Sequence, residues 1–187
     1  KTWRVLPPPP SGFAGELGYP PFQAHLLYNR GIKRRDQVEL FIAPDERLLN
    51  DPMLLPDMGK AVARLREALQ SGQTIGVFGD FDTDGLTGTA LLTRALRDLG
   101  ATVEPYLPDR VSEGHGLNDS AIRLLHDRGV SLLVTVDCGV SSASQVALAS
   151  SLGMDTIITD HHILSDALPV ACAIIDTKRP DSAYPYP

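Results

Sequence analysis

Three short stretches hold the residues of this chain best suited to chemistry. Asp80, Asp82 and Asp84 stand at alternate positions in GDFDTDG, Asp137 ends SLLVTVD, and Asp160, His161 and His162 end DTIITDHH. Three carboxylates within five residues repel one another and raise their own pKa values unless a cation sits among them. Five Asp and two His gathered in one place are a ligand set for a pair of divalent cations. Carboxylates suit Mg²⁺ and Mn²⁺, and imidazole tilts the preference toward Mn²⁺. Two such ions about 3.5–4 Å apart clamp the attacking and leaving oxygens of a phosphoryl centre and acidify a water between them. Asp137, alone on its stretch, is the natural bridge between two ions. Each stretch also has a plainer reading. The first could be an Asp/Gly-rich surface loop with one capping Asp. Asp137 could cap a helix starting at Ser141, and the two histidines could pack in a core or cap a turn.

Only a particular architecture brings these stretches together. Residues 74–78 form an apolar, partly β-branched run that reads as a buried strand, followed by a helix over 86–99. The alternation continues with a strand over 102–107, a loop over 108–118, a helix over 119–127 and a strand over 131–136. A helix over 141–151, a strand over 155–159 and a last apolar run over 171–175 complete it. Repeated strand–helix–strand units imply an α/β fold: a doubly wound, mostly parallel sheet with helices on both faces and right-handed crossovers. In such a sheet the carboxyl ends of the strands share one edge, where ligands bind. The three stretches each follow a strand, so they should converge there.

Upstream, Ala61, Val62, Leu65, Ala68 and Leu69 recur at helical spacing over 59–70. Before that, four prolines at 7–10 read as an extended lead-in. Pro20-Pro21 could open a helix that ends at Gly31, and Asp36 with Glu39 has capping-box spacing. The basic cluster Arg30, Lys33, Arg34 and Arg35 reads as a solvated face. Residues 43–57 read as a loop. The expected division is therefore a small extended and helical arm over 1–57 and an α/β metal-binding domain over 58–187.

Composition agrees with this plan. A chain of 187 residues, 43% hydrophobic, can bury one domain core with a small appendage. No apolar run approaches the roughly 20 residues that span a bilayer, so no membrane partner is expected. Lys1 to Leu6 lead into the prolines at 7–10, with no apolar segment of signal length. Cys138 and Cys172 form no CxxC pair and read as buried free thiols, for which a reducing, cytoplasmic setting is simplest. A net charge of -6 argues against a generic nucleic-acid coat protein. It leaves a nuclease open, because an acidic metal centre lowers the charge where the substrate binds.

Two family resemblances follow. An apolar strand followed by Asp-Thr-Asp-Gly resembles the aspartyl-phosphate loop of haloacid-dehalogenase-like phosphatases, but Leu86 intervenes before Thr87 and that scheme has no use for His161-His162. The stronger resemblance rests on three ordered motifs, GDFDTDG at 79–85, TVDCG at 135–139 and TDHH at 159–162. Leu55-Pro56-Asp57-Met58, Glu113 to Asn118 and Lys178 to Ser182 add to it. Over residues 20–187 the chain is identified as a member of the DHH phosphoesterase superfamily, within its branch of bacterial single-strand-specific 5′→3′ DNA exonucleases.

The resemblance implies a Mn²⁺-dependent phosphodiesterase with two ions, Mg²⁺ being a substitute, that works in DNA repair and recombination. Asp82, Asp84, Asp137 and His161 match metal ligands, with Asp137 bridging and Asp80 close by as ligand or orienting group. His162 belongs beside the scissile phosphate, and Asp160 supports both histidines from behind. Arg110, His115 and Asn118 form a substrate wall, against the plainer reading of a Gly-rich crossover with an Asn118 helix cap. Lys178 and Arg179 are further candidate contacts to single-stranded DNA. A helicase or single-strand-binding protein is the implied partner. Alternatives are a small-substrate DHH enzyme acting on short oligonucleotides or cyclic dinucleotides, and an inactive replication scaffold. The resemblance also implies a further Asp ligand and a closing second domain downstream of Pro187. Without these, weak metal binding and no turnover are expected of these residues alone. Asp176 reads as a local turn residue rather than that ligand.

Overall fold

The apolar runs pair into one sheet. The computed structural model describes residues 2, 4–42 and 49–185. The chain divides into two units, Lys1–Asn50 and Asp51–Pro187.

In the first unit, α1 (Phe13–Leu17), α2 (Pro21–Asn29) and α3 (Arg35–Ile42) bury Phe13, Leu17, Ala24, Leu27 and Val38 against one another. Pro21 opens α2, where its missing N–H costs nothing. At α3 the capping differs from the Asp36/Glu39 spacing. Gln37 Oε1 accepts from the N–H groups of Lys33 and Arg34, while Asp36 pairs with the Arg34 guanidinium at 2.8 Å. The helix begins two residues earlier than the box requires, so Gln37 is the side chain that reaches back. Of the expected loop over 43–57, residues 43–48 lie outside the described residues, and Pro52–Leu54 is a single 3-10 turn.

The second unit runs α4 (Met58–Gln70), β1 (Thr74–Gly79), α5 (Thr83–Asp98), β2 (Thr102–Tyr106) and α6 (Asp119–Asp127). It continues with β3 (Val130–Val136), α7 (Ala143–Ser151), β4 (Asp155–Asp160) and β5 (Ala173–Asp176). The sheet order is β2-β1-β3-β4-β5, and all four pairings are parallel. The fold is thus α/β with a parallel sheet. The chain moves outward from β1 to β2, then crosses back over β1 to β3, so the strand order reverses between β1 and β3. In sheets of this kind, that switch point opens a crevice at the carboxyl ends.

Period-two alternation sends each strand into both layers. Ile75, Val77, Leu132, Val134 and Ile157 pack with Ala61, Ala68 and Leu96 of α4 and α5. Phe78, Leu133 and Ile158 pack with Ile122, Leu125, Val146 and Ala149 of α6 and α7. Each such large side chain contributes about 1.5–3 kcal/mol on burial. At β5, Ile174 donates its N–H to Asp57 Oδ2 (3.2 Å) and its carbonyl accepts from Arg179 Nη1 (2.7 Å), so side chains satisfy backbone groups of the edge strand. β5 starts only at Ala173. This leaves Cys172 exposed rather than buried as expected, while Cys138 is buried; both are free. No described helix is long and apolar enough to cross a membrane.

Candidate metal centre

The carboxyl end of β1 is pressed against the first turn of α5. A Cβ on Gly85 would lie 2.4 Å from the Asp80 carbonyl oxygen, and one on Gly79 would lie 1.9 Å from Thr89 Oγ1. Glycine at both places lets helix and strand meet across a connection of only three residues. α5 therefore starts at Thr83, three residues before the expected start. Asp82 caps it, Oδ1 accepting from the N–H groups of Asp84 (2.9 Å) and Gly85 (3.1 Å). Those bonds, Gly85 first, hold the Asp82 carboxyl below its ordinary range. The plain reading of a capping Asp is therefore true of Asp82, and the capping bonds use Oδ1 alone. Asp80 continues the ladder, donating its N–H to the Val136 carbonyl at 3.2 Å, and its side chain is buried.

β3 ends in Asp137, whose N–H donates to the Thr159 carbonyl (2.9 Å) and whose φ is 62°. Left-handed backbone at a non-glycine residue is costly except for Asp and Asn. Here it turns the carboxylate back toward the switch point. Asp137 Oδ1 lies 2.7 Å from His161 Nε2. Burial pushes its pKa up, and the charges of Asp84 and Asp82 add to that. Neither Asp137 nor Ser141 caps α7. That helix starts at Ala143 after Ser142, and Ser142 makes no side-chain cap.

β4 ends in Asp160, whose side chain is 1% exposed. Its Oδ1 accepts from the N–H groups of His161 (2.7 Å) and His162 (3.1 Å) and from His162 Nδ1 (2.7 Å), and Oδ2 accepts from Val140 N–H (2.9 Å). Burial pushes this carboxyl up, but the hydrogen bonds from Val140, His162 and His161 outweigh it and hold it below its ordinary value. The same carboxylate raises the pKa of His162. Asp160 thus braces both histidines from behind, and the Lys178 ammonium meets the His161 carbonyl.

Two groups of ligand atoms result. One is Asp80, Asp82 and Asp137; the other is Asp137, His161 and His162; within each, the atoms lie within 4.8 Å of one another. Asp137 belongs to both. Three close carboxylates, one with its pKa pushed up, and two imidazoles alongside form donor groups that could hold divalent cations. Asp84 stands outside both groups, its Oδ2 3.6 Å from His161 Nε2. A cleft of about 720 Å³ opens beside the centre, lined by Asp80, His115, Asp137, Asp160, His162 and the start of α7. A smaller one, about 240 Å³, is lined by Asp84, Asp137, His161 and Thr177.

The remaining candidates divide between the rim of the centre and the fold's own bonds. Arg110 lies with its guanidinium 5.1 Å from the Phe81 ring centre, and His115 Nδ1 is 3.0 Å from Asp80 Oδ2. Asn118 Oδ1 caps α6 through Ala121 N–H (2.8 Å), and its Nδ2 donates to Glu113 (3.1 Å), so its amide is committed within the fold. Arg179 spends its guanidinium on Asp57, Asp181 and the Ile174 carbonyl. Asp176 is buried in register with Asp160, with Oδ1 accepting from Lys178 N–H (2.8 Å) and Oδ2 without a partner among the described residues. Sequence reasoning missed Phe81, which the motif hides among its carboxylates, and the bonding of Glu113, for which no local spacing rule exists.

Residues 74–183 match the model of the DHH family, N-terminal domain. The chain is 37% identical over 171 residues to the single-stranded-DNA-specific exonuclease RecJ of Bacillus subtilis (strain 168), an overlap of 91% of this chain and 22% of that protein. A crystal structure of exonuclease RecJ bound to manganese superimposes with a TM-score of 0.64 at 38% identity, over 72% of this chain and 34% of the other. RecJ from Thermus thermophilus in complex with Mn²⁺ gives 0.68 at 32% identity, over 96% of this chain and 26% of the other. The chain spans about a quarter of the length of the curated relatives it matches.

Proposed function

Because the chain belongs to the DHH family, we propose that its strand ends hold two Mn²⁺ ions, with Mg²⁺ as substitute, and that the protein hydrolyses single-stranded DNA from the 5′ end to 5′ mononucleotides. The observation that carries this reading is Asp137, a buried carboxylate common to two ligand groups at the switch point of the sheet. When bound, the ions supply charge neutralisation at a phosphoryl centre and acidity to a water. Asp80, Asp82, Asp84, Asp137 and His161 would hold them. Asp82 offers the oxygen that its capping bonds leave free. His162, held by Asp160 through Nδ1 and favoured in its charged form, presents Nε2–H as a donor to a phosphate oxygen. The relatives named as single-stranded-DNA-specific exonucleases support the substrate, and the manganese-bound structures support the ion. A cytoplasmic role in repair and recombination, with a helicase or single-strand-binding protein as partner, belongs to the same proposal.

The test is digestion of 5′- and 3′-labelled single-stranded DNA by the full-length natural protein with Mn²⁺. Immediate release of label as mononucleotide from the 5′ end alone, abolished by EDTA, is expected. Survival of long strands while dinucleotides are cut would move the substrate to small molecules. Mn²⁺ binding without any cutting would leave an inactive scaffold.

A further inference from the structure

The loop between β2 and α6 is built around one carboxylate. Glu113 Oε1 accepts from the Tyr106 hydroxyl (2.6 Å) and from Asn118 Nδ2 (3.1 Å), and Oε2 accepts from Asp109 N–H (2.7 Å). The end of β2, the turn that follows it and the cap of α6 are thereby tied to a single point. Beyond Glu113 the chain passes through Gly114 and Gly116, both at φ 76°, which a side chain would strain. His115 stands between them.

The result is a fixed approach of His115 to the end of β1. Its Nδ1 lies 3.0 Å from Asp80 Oδ2, and its ring centre lies 4.2 Å from that of Phe81. Arg110 covers the same Phe81 ring. The other oxygen of Asp80 accepts from Phe81 N–H at 2.8 Å. One backbone donor and one imidazole donor therefore hold the two oxygens of a buried carboxylate.

We propose that His115 is a positioning residue for metal binding: its Nδ1–H sets the rotamer of Asp80, so that this carboxylate meets a Mn²⁺ ion together with Asp82 and Asp137. The inference rests on the metal-centre reading above. A carboxylate turns freely about its last single bond, and a cation that must order it loses affinity. Groups that orient a ligand from behind typically govern metal affinity by about 10–100-fold. Glu113 acts one step further back, by fixing the loop that carries His115. This gives His115 work within the protein rather than against DNA.

The experiment titrates Mn²⁺ calorimetrically into the full-length natural protein and its His115→Ala and His115→Asn variants, and melts each without metal. The His115 side chain is 73% exposed, so the metal-free melting temperature should not move. His115→Ala should weaken Mn²⁺ about 10–100-fold. Asn carries an amide nitrogen close to where Nδ1 stood, so His115→Asn should recover most of that loss. Unchanged Mn²⁺ affinity in His115→Ala overturns the proposal, including the case where single-strand binding falls instead. So does a loss in both variants that tracks a fall in metal-free stability. Failure of the wild-type chain to bind Mn²⁺ would remove the metal-centre reading itself and this inference with it.

Discussion

Replacing Asp137 by Asn should leave the metal-free protein as stable as before or slightly more so, while removing its stabilisation by Mn²⁺. The oxygens of Asp80, Asp82 and Asp137 lie within 4.8 Å of one another. At that distance a like-charge pair repels by about 1 kcal/mol in water and about 3.5 kcal/mol at an effective dielectric of about 20. Asp137 takes part in two such pairs, and burial together with the charges of Asp84 and Asp82 pushes its pKa up. Neutralising it should therefore gain about 1–2 kcal/mol, less whatever the contact with His161 loses. Asn adds no backbone strain, because it tolerates the left-handed φ of 62° as Asp does. Wild-type protein with Mn²⁺ at about a hundred times its Kd should gain about 2.7 kcal/mol, roughly 8 °C in Tm. Thermal unfolding followed by circular dichroism across a Mn²⁺ series reads both effects. Asp137→Asn should melt at or above the wild-type temperature without metal and should not respond to Mn²⁺. A retained wild-type Mn²⁺ shift, or a metal-free loss of several degrees, would show that Asp137 serves the fold and not a cation.

Three further outcomes are expected. Gly85→Ala forces a methyl group onto the backbone of Asp80 and should cost about 3 kcal/mol or more in urea unfolding; a cost below about 0.5 kcal/mol would refute the close approach of α5 to β1. Arg179→Ala leaves Asp57 short of a partner at 2.6 Å and should cost about 3 kcal/mol, with single-strand affinity unchanged once folding is allowed for; a specific loss of affinity in a stable variant would return Arg179 to the DNA-binding set. Burial pushes Asp57 up, but bonds from Lys60, Arg179 and Ile174 N–H outweigh it and bring it from 3.8 to about 2. Its contribution, about 2 kcal/mol, is therefore present above the unfolded value and is lost as the pH falls from about 4 through about 2. Asp57→Asn should flatten that part of the acid unfolding curve, and an unchanged acid limb would count against the pairing.

Particular residues show what is legible in advance. The strands over 74–79 and 130–136 are plain, because parallel strands buried on both faces read as near-continuous apolar runs. α6 matches to the residue, because Asn118 and Gly129 bound it with local signals. The start of α5 differs by three residues from its sequence reading. An Asp placed for chemistry doubles as a cap there, and cap and ligand look alike in one dimension. Arg179 and Asn118 read as candidate DNA contacts through their donor chemistry and the family resemblance. Their partners, Asp57 and Glu113, are made by tertiary closure, and nothing in the local pattern signals it.

The sequence by itself therefore determined the layers of the fold, the parallel sense of the sheet and the presence of acidic and imidazole groups at three strand ends, because periodicity and strand-end composition are local properties of the chain. That these strand ends converge follows from the parallel sheet as well; which side-chain atoms come within bonding distance was decided only by the tertiary structure. The reversal of strand order between β1 and β3 sets Asp137 beside Asp80 and Asp82, and the left-handed turn at Asp137 aims it. The crossover from β2 to α6 then carries His115 back over the switch point to Asp80, 35 residues away in sequence. Distances of that kind come from packing two helical layers onto one twisted sheet, and no spacing rule along the chain encodes them.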